Sequence, residues 1–461
     1  MPDREPGDTF QRARRWWLRT LWILLRRIRH LITDMNHVPA RSSWLSRIAG
    51  SPTWGPARRA SVDRQRGTSN LSATQRVSPA ARARRPIAIR WRALLGVFLV
   101  GCLSPCGFAA EPVKIGFFMS ITGRDASFGE ASLRGARVAV EELNAGGGVL
   151  GRRIELVVED NRSLPGESAT AVKKLISRDR VVALVGECSS ARTLEAAPIA
   201  QAAGVPLISP ASTSPKVTEV GDMIFRVCFI DSFQGNVIAT FARKNLGLKR
   251  AALLIDVGSP YSVGLADYFS RTFEALGGEI VATQKYTGTE ADFRAQLTAI
   301  RSAEPDALFL PGYYVAAGLV AKQSKQLGLT ATLLGGDGFE APQLLEIGGD
   351  ALEGAYYSTH FATENTEAAS RRFVDAYRSR YHSAPNGLSA LTYDSIKLVA
   401  DAIIRAGTTE KNALREALAA TRDFPGVTGR TTINGQRDAE KDAAIITVEK
   451  GQLKFVETIR P

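Results

Sequence analysis

From Val113 onward the chain alternates without a break between short apolar runs and stretches with helical apolar spacing. VKIGFF is followed by 129–144, where Leu133, Ala136, Val140 and Leu143 recur three or four residues apart until Gly146-Gly147-Gly148 ends the pattern. RIELVVED, a helical stretch over 167–177, VVALVGE, another over 193–203 and VPLIS continue the series. After IFRVCF it restarts: AALLIDV, 261–276, EIVAT, 293–302, DALFLPG, 316–327 and ATLLGG. Strands apolar along their whole length need cover on both faces, so these runs predict parallel sheets sandwiched by helices, an α/β fold. The two series, of about 115 and 130 residues, are each long enough for a lobe. Residues 361–432 read as nearly all helix, and AIITVEKGQLKFVETI reads as a β-hairpin. Both are too small to stand alone and must pack on the larger units. The division expected is 110–229 with 361–432 in the first lobe, and 230–360 with 433–461 in the second, so the chain crosses between lobes more than once.

The 461-residue chain carries a net charge of +13, which would suit a nucleic-acid or anionic-membrane partner if it were evenly spread. It is not. Residues 1–110 hold 20 Arg, no Lys and 5 acidic residues, while the remaining 351 hold 39 basic and 41 acidic residues. The foldable part is therefore near neutral, and a nucleic-acid partner is not expected. All six Trp also fall in the first segment. Arg84, Arg85, Arg90 and Arg92 precede the apolar run ALLGVFLVGCL, and small residues follow, which is the order of a secretory signal over 84–109. The run is about half of the roughly 20 residues that a membrane-spanning helix needs. Two endings compete: cleavage after Gly107-Phe108-Ala109, or a lipoprotein ending at Leu99-Val100-Gly101 with Cys102 acylated. Residues 1–83 are basic and rich in Pro, Ser and Arg. They are expected to be disordered or to derive from an upstream start, with translation beginning near Val77. The rival reading makes RARRWWLRTLWILLRRIRHLI a membrane-surface helix.

Two cysteines remain beyond the signal, Cys188 and Cys228; they are either small buried thiols or, in an oxidising compartment, a bridge. Chemistry of bond making is hard to find. Only His360 and His382 occur after residue 110, neither beside a plausible nucleophile, and HExxH, paired CxxC, GxxxxGK[ST] and GxSxG are absent. Gly146-Gly147-Gly148 follows a helix where a dinucleotide loop would open one. No catalytic group, metal or cofactor is expected, and the chain is not read as an enzyme.

What the pattern does place is a set of strand tips, where parallel α/β sheets hold their ligands. Ser189-Ser190 follows one apolar run, and Ala211-Ser212-Thr213 follows the next. Hydroxyls and free backbone N–H groups at a helix start form an anion site that needs no lysine, and one carboxylate would fit. The competing reading is a helix cap at Ser190 and an ordinary turn at Ser212-Thr213-Ser214-Pro215. At the corresponding tips of the second series stand Tyr261, Tyr313 with Tyr314, and Asp337 between glycines. An acid and aromatic rings opposite an anion site describe a zwitterion with a side chain, that is, an amino acid.

IGFFMSITGRDASFG, LNAGGGVLGRRIELVVEDN, SSARTLEAAPIAQAAGVPLISPASTSP, FRVCFIDSFQG and PDALFLPGYY together resemble the leucine/isoleucine/valine-binding family, the type I periplasmic solute-binding proteins of branched-chain amino acid ABC transporters. The resemblance runs from about Val113 to the end. It implies two doubly wound, Rossmann-like lobes joined by three hinge crossovers that close over a ligand. It also implies that Ser190 and Thr213 hold a ligand carboxylate, with Ala211 and Ser212 helping, that Asp337 receives an ammonium group, and that Tyr261 and Tyr313 wall the site. Phe128 falls where the family often has Tyr, and Asp337 where its best-known members have Glu, so the ligand's identity stays open. Amides, urea or aromatic acids remain alternatives, as does a ligand-sensing regulatory protein of the same fold. The partners implied are an amino acid and an inner-membrane ABC permease, with the protein a periplasmic monomer.

Overall fold

The computed structural model describes residues 110–460 except Asn365. The basic segment, the expected signal and Cys102 lie outside the described residues.

The first series runs β1 (Val113–Met119), α1 (Ala126–Ala145), β2 (Ile154–Asp160), α2 (Glu167–Ser177), β3 (Ala183–Val185), α3 (Ser190–Ala202), β4 (Leu207–Ser209), the short α4 (Lys216–Glu219) and β5 (Ile224–Arg226). Its strands pair in parallel in the order β2-β1-β3-β4-β5. Ile115, Phe117 and Phe118 on β1 are wholly buried, because helices cover both faces of the sheet.

The second series runs α5 (Asp231–Thr240), β6 (Arg250–Asp256), α6 (Pro260–Ala275), β7 (Glu279–Tyr286), α7 (Arg294–Ser302), β8 (Ala307–Leu310), α8 (Tyr314–Gln326), β9 (Thr332–Gly335), α9 (Gln343–Gly348) and β10 (Tyr356–Thr359). Its strands stand in the order β7-β6-β8-β9-β10, the same winding as the first sheet. The chain then forms α10 (Ala368–Tyr381), α11 (Gly387–Ala406) and α12 (Lys411–Ala419), and a three-stranded antiparallel sheet of β11 (Phe424–Gly426), β12 (Gly429–Ile433) and β13 (Ala439–Glu440). It ends in the hairpin β14 (Ala443–Glu449) and β15 (Gln452–Ile459), which adds antiparallel to β10 and completes a seven-stranded second sheet.

This is the type I periplasmic binding protein fold, α/β with two doubly wound lobes. The expectation of nearly all helix over 361–432 fails at its end: Phe424-Pro425-Gly426 and Gly429 disfavour a helix, and that stretch enters strands instead. α11 is held at its start by a capping box between Asn386 and Ser389, and 15 of its 20 residues are buried. It crosses α1 closely: a Cβ at Gly135 would lie 2.0 Å from Ser389 O, so only glycine permits that contact. The larger cluster of buried apolar residues is continuous from β1, α1 and α11 to β8 and α8, so the two lobes share a core at their junction. Among the described residues no helix is long and apolar enough to cross a membrane.

Candidate functional site

The strand order reverses between β1 and β3 in the first sheet and between β6 and β8 in the second. Helices leave on opposite faces at such a point, and the crevice outside the strand ends is open to a ligand. Phe128 and Ser189-Ser190 follow β1 and β3, and Tyr261 and Tyr313 follow β6 and β8. The tips of β4 and β9 add Ala211–Thr213 and Asp337.

On the first lobe Ser189 occupies the N-cap position of α3 with extended backbone, but its side chain caps nothing. Its Oγ accepts instead from the Tyr313 hydroxyl at 3.1 Å. Ser190 Oγ accepts from the Ser214 N–H at 3.2 Å, which leaves the Ser190 proton available for donation. Ser212 turns away from the crevice: its Oγ donates to Glu187 O at 2.8 Å and meets Thr193 Oγ1 at 2.7 Å. Two groups that the sequence pattern does not single out hold this scaffold. Glu187 gathers the tips of the first sheet, since Oε1 accepts from Ser120 N, Ser120 Oγ and Asn161 Nδ2 at 2.6–3.0 Å and Oε2 from Ser189 N at 2.5 Å. Arg226, wholly buried, donates to Ser212 O at 2.6 Å and Ser214 O at 2.9 Å and pairs with Asp438 at 2.7 Å.

On the second lobe Tyr261 and Tyr313 stack at 5.5 Å, with their planes only 3° apart. Phe128 meets Tyr313 edge-on at 5.6 Å from across the crevice. Burial pushes both tyrosine phenols up, so they remain protonated donors. Asp337 is 7% exposed. Its Oδ1 accepts from Gln234 Nε2 at 2.9 Å, and its Oδ2 lies 3.2 Å from His360 Nε2. Gly336 is required beside it, because a Cβ there would sit 2.5 Å from the Tyr261 hydroxyl. Asp231, the first residue of α5, is fully buried near Thr213. Its N–H donates to Thr213 O at 3.0 Å, and burial, with Asp337 adding to it, holds its carboxyl well above the usual range.

These groups enclose a narrow cleft whose free space, about 10 Å3, holds no more than a water molecule. Its walls include seven of the nine residues expected from the sequence: Phe128, Ser190, Ala211, Thr213, Tyr261, Tyr313 and Asp337. Ser189 and Ser212 stand behind it. Cys188, Gly338 and Leu388 complete the lining, and Leu388 comes from α11, 198 residues after Ser190. A larger groove, about 320 Å3, lies beside Glu340 and Pro385, away from the serine tips. Cys188 and Cys228 are both buried free thiols, so they form no bridge here. Among the described residues no cluster of three or more His, Cys, Asp or Glu side chains is arranged to hold a metal ion.

A sequence profile of the periplasmic binding proteins matches residues 112–452, nearly all of the described chain. The chain belongs to the periplasmic binding protein family, in its branched-chain amino acid group. It is 30% identical over 337 residues to the Leu/Ile/Val-binding protein BraC3 of Rhizobium johnstonii, covering 72% of this chain and 90% of that protein. Among solved structures, the leucine binding protein LivK of Thermotoga maritima is similar with a TM-score of 0.73 and 40% identity, over 76% of this chain and 99% of that one. The branched-chain amino acid transporter substrate-binding protein LivJ of Streptococcus pneumoniae, in complex with isoleucine, is similar with a TM-score of 0.72 and 36% identity, over 76% of this chain and all of that one. The cleft lined by the serine tips and Asp337 lies between the ends of the two parallel sheets.

Proposed function

We propose that the protein binds a branched-chain or similar aliphatic amino acid between its lobes and delivers it to an inner-membrane ABC permease. It works outside the cytoplasm as a monomer, without catalysis, cofactor or metal. Its exported part begins at Ala110, or at an acylated Cys102. Segments 110–229 and 361–432 act as one lobe and 230–360 and 433–461 as the other.

The observation that supports this reading is the polarity of the cleft. Ser190 and Thr213 offer donors for a carboxylate, with the start of α3 adding backbone N–H groups. Asp337 offers an acceptor for an ammonium group, and Phe128, Leu388 and the tyrosine pair are left to enclose a side chain. An amide or aromatic acid would leave the buried Asp337 charge without a partner, which is costly in a closed cleft.

Calorimetry with leucine, isoleucine, valine, benzoate and acetamide tests the reading. Removing one member of a buried charge pair costs about 2–5 kcal/mol, so Asp337→Ala should weaken leucine binding by about 30-fold to several thousandfold. The same substitution should affect 4-methylpentanoate, which lacks the ammonium, far less. Binding of benzoate or acetamide with no response to any amino acid would overturn the reading.

A further inference from the structure

His360 stands one residue beyond β10, where the chain leaves the second sheet. Phe229 lies on the first crossover, between β5 and α5, and Lys441 on the third, between β13 and β14. The imidazole stacks on the Phe229 ring with centroids 3.6 Å apart and planes at 29°. Its side chain is 1% exposed, and Nε2 reaches Asp337 Oδ2 at 3.2 Å. One buried ring thus touches the residue placed to read the ammonium group and sits where the crossovers converge.

Its protonation follows from its neighbours. Burial disfavours the imidazolium and lowers the ring's pKa; the facing Asp337 carboxylate opposes that shift, and Lys441 on the third crossover reinforces it. Lys441 is itself buried against Thr428 and near Asp394. A neutral imidazole carries one N–H, and a carboxylate can only accept, so the proton belongs on Nε2. Nδ1 is buried without a hydrogen-bond partner, which agrees with that tautomer. Gln234 Nε2 holds the other carboxylate oxygen at 2.9 Å. Two neutral donors therefore orient Asp337 without cancelling its charge, and a charged imidazolium in the same place would neutralise it and repel a ligand ammonium.

We infer that His360 is a positioning residue for amino-acid binding: from the hinge it aims the Asp337 carboxylate at the ligand's ammonium group and ties that subsite to the three crossovers. This rests on the amino-acid reading above. A plain packing role beneath Phe229 would act on all ligands alike and would not depend on protonation.

The test compares wild type, His360→Leu and His360→Gln, with leucine and 4-methylpentanoate as probes and calorimetry from pH 5 to 8. His360→Leu should lose about tenfold or more in leucine affinity, the loss expected for a hydrogen bond to a charged group. Its affinity for 4-methylpentanoate should change less than about threefold. His360→Gln, which keeps a neutral N–H donor, should recover most of the leucine affinity at pH 8. On acidification the wild type should lose leucine affinity through the imidazole range, below roughly pH 6.5, where His360→Gln loses less. Glu340 titrates in both proteins, so only the difference between their profiles reports on His360. Parallel losses for the two probes in His360→Leu overturn the inference, and so do identical pH profiles for wild type and His360→Gln, a comparison that holds even if the leucine variant fails to fold. A wild type that binds other solutes but not leucine overturns the amino-acid reading instead.

Discussion

The Tyr313 hydroxyl donates to Ser189 Oγ at 3.1 Å, joining the tip of β8 on the second lobe to the N-cap of α3 on the first. The neighbouring Tyr314 hydroxyl reaches Arg124 O at 2.9 Å, also across the crevice. These contacts are possible only with the lobes together, and a ligand that touches both lobes shifts the population toward that arrangement. Small-angle scattering should therefore show a smaller radius of gyration at saturating ligand. Tyr313→Phe keeps the stack on Tyr261 but loses the strap, so affinity should fall about 2- to 13-fold, as for one neutral hydrogen bond.

Ser190→Ala and Thr213→Ala should each weaken amino-acid binding about 10- to 150-fold, the range for a hydrogen bond to a charged carboxylate. Neither substitution removes a helix cap, because the cap position of α3 is Ser189, so both variants should stay folded. Ser190→Ala also frees the Ser214 N–H and should cost about 1 kcal/mol of stability. Variants that bind like wild type would remove these residues from the site.

Arg226→Met should be strongly destabilising. It leaves Asp438 buried without its partner and releases the carbonyls of Ser212 and Ser214. Breaking one side of a buried ion pair costs about 3–5 kcal/mol. Arg226→Lys should not restore it, because a point charge cannot reach several carbonyls and Asp438 together. Urea unfolding of the three proteins checks both statements.

Glu340 links the lobes differently. Its carboxylate accepts from Gly387 N at the start of α11 and from Thr359 Oγ1. Burial nevertheless pushes its pKa up to about 7, against the opposing effect of those two bonds. The folded state then holds a proton that the unfolded state has released, so stability is highest below about pH 4.5 and is lost as pH rises to about 7. The loss amounts to about 3 kcal/mol at one pKa unit per 1.36 kcal/mol. Glu340→Gln should flatten the dependence and raise the midpoint at pH 8, measured by thermal unfolding from pH 4.5 to 8.

The strand tips were legible because parallel α/β sheets expose the same end of every strand. A two-residue tip such as Ser189-Ser190 is therefore positioned by the local pattern alone. Tyr261, Tyr313 and Asp337 were readable for the same reason, and Phe128 was named through the family resemblance. Gln234 and His360 were not, since Gln234 lies 103 positions before Asp337 and His360 sits 23 after it on another crossover. Arg226 and Glu187 escaped notice because each sits in an apolar run, where nothing local distinguishes a buried charge with partners from a strand end.

By itself the sequence determined the local periodicities: strands apolar on both faces, helices between them, glycine stops, and hence two sheets of parallel strands with their tips at one end. Those features depend on neighbours within a few residues along the chain. Only the tertiary structure decided which tips meet, that Leu388 from a distant helix closes the cleft, that Ser189 and Ser212 support it without lining it, and that His360 stands behind Asp337. Each of these depends on contacts between segments tens to hundreds of residues apart, and such contacts leave no periodic trace in the residues that make them.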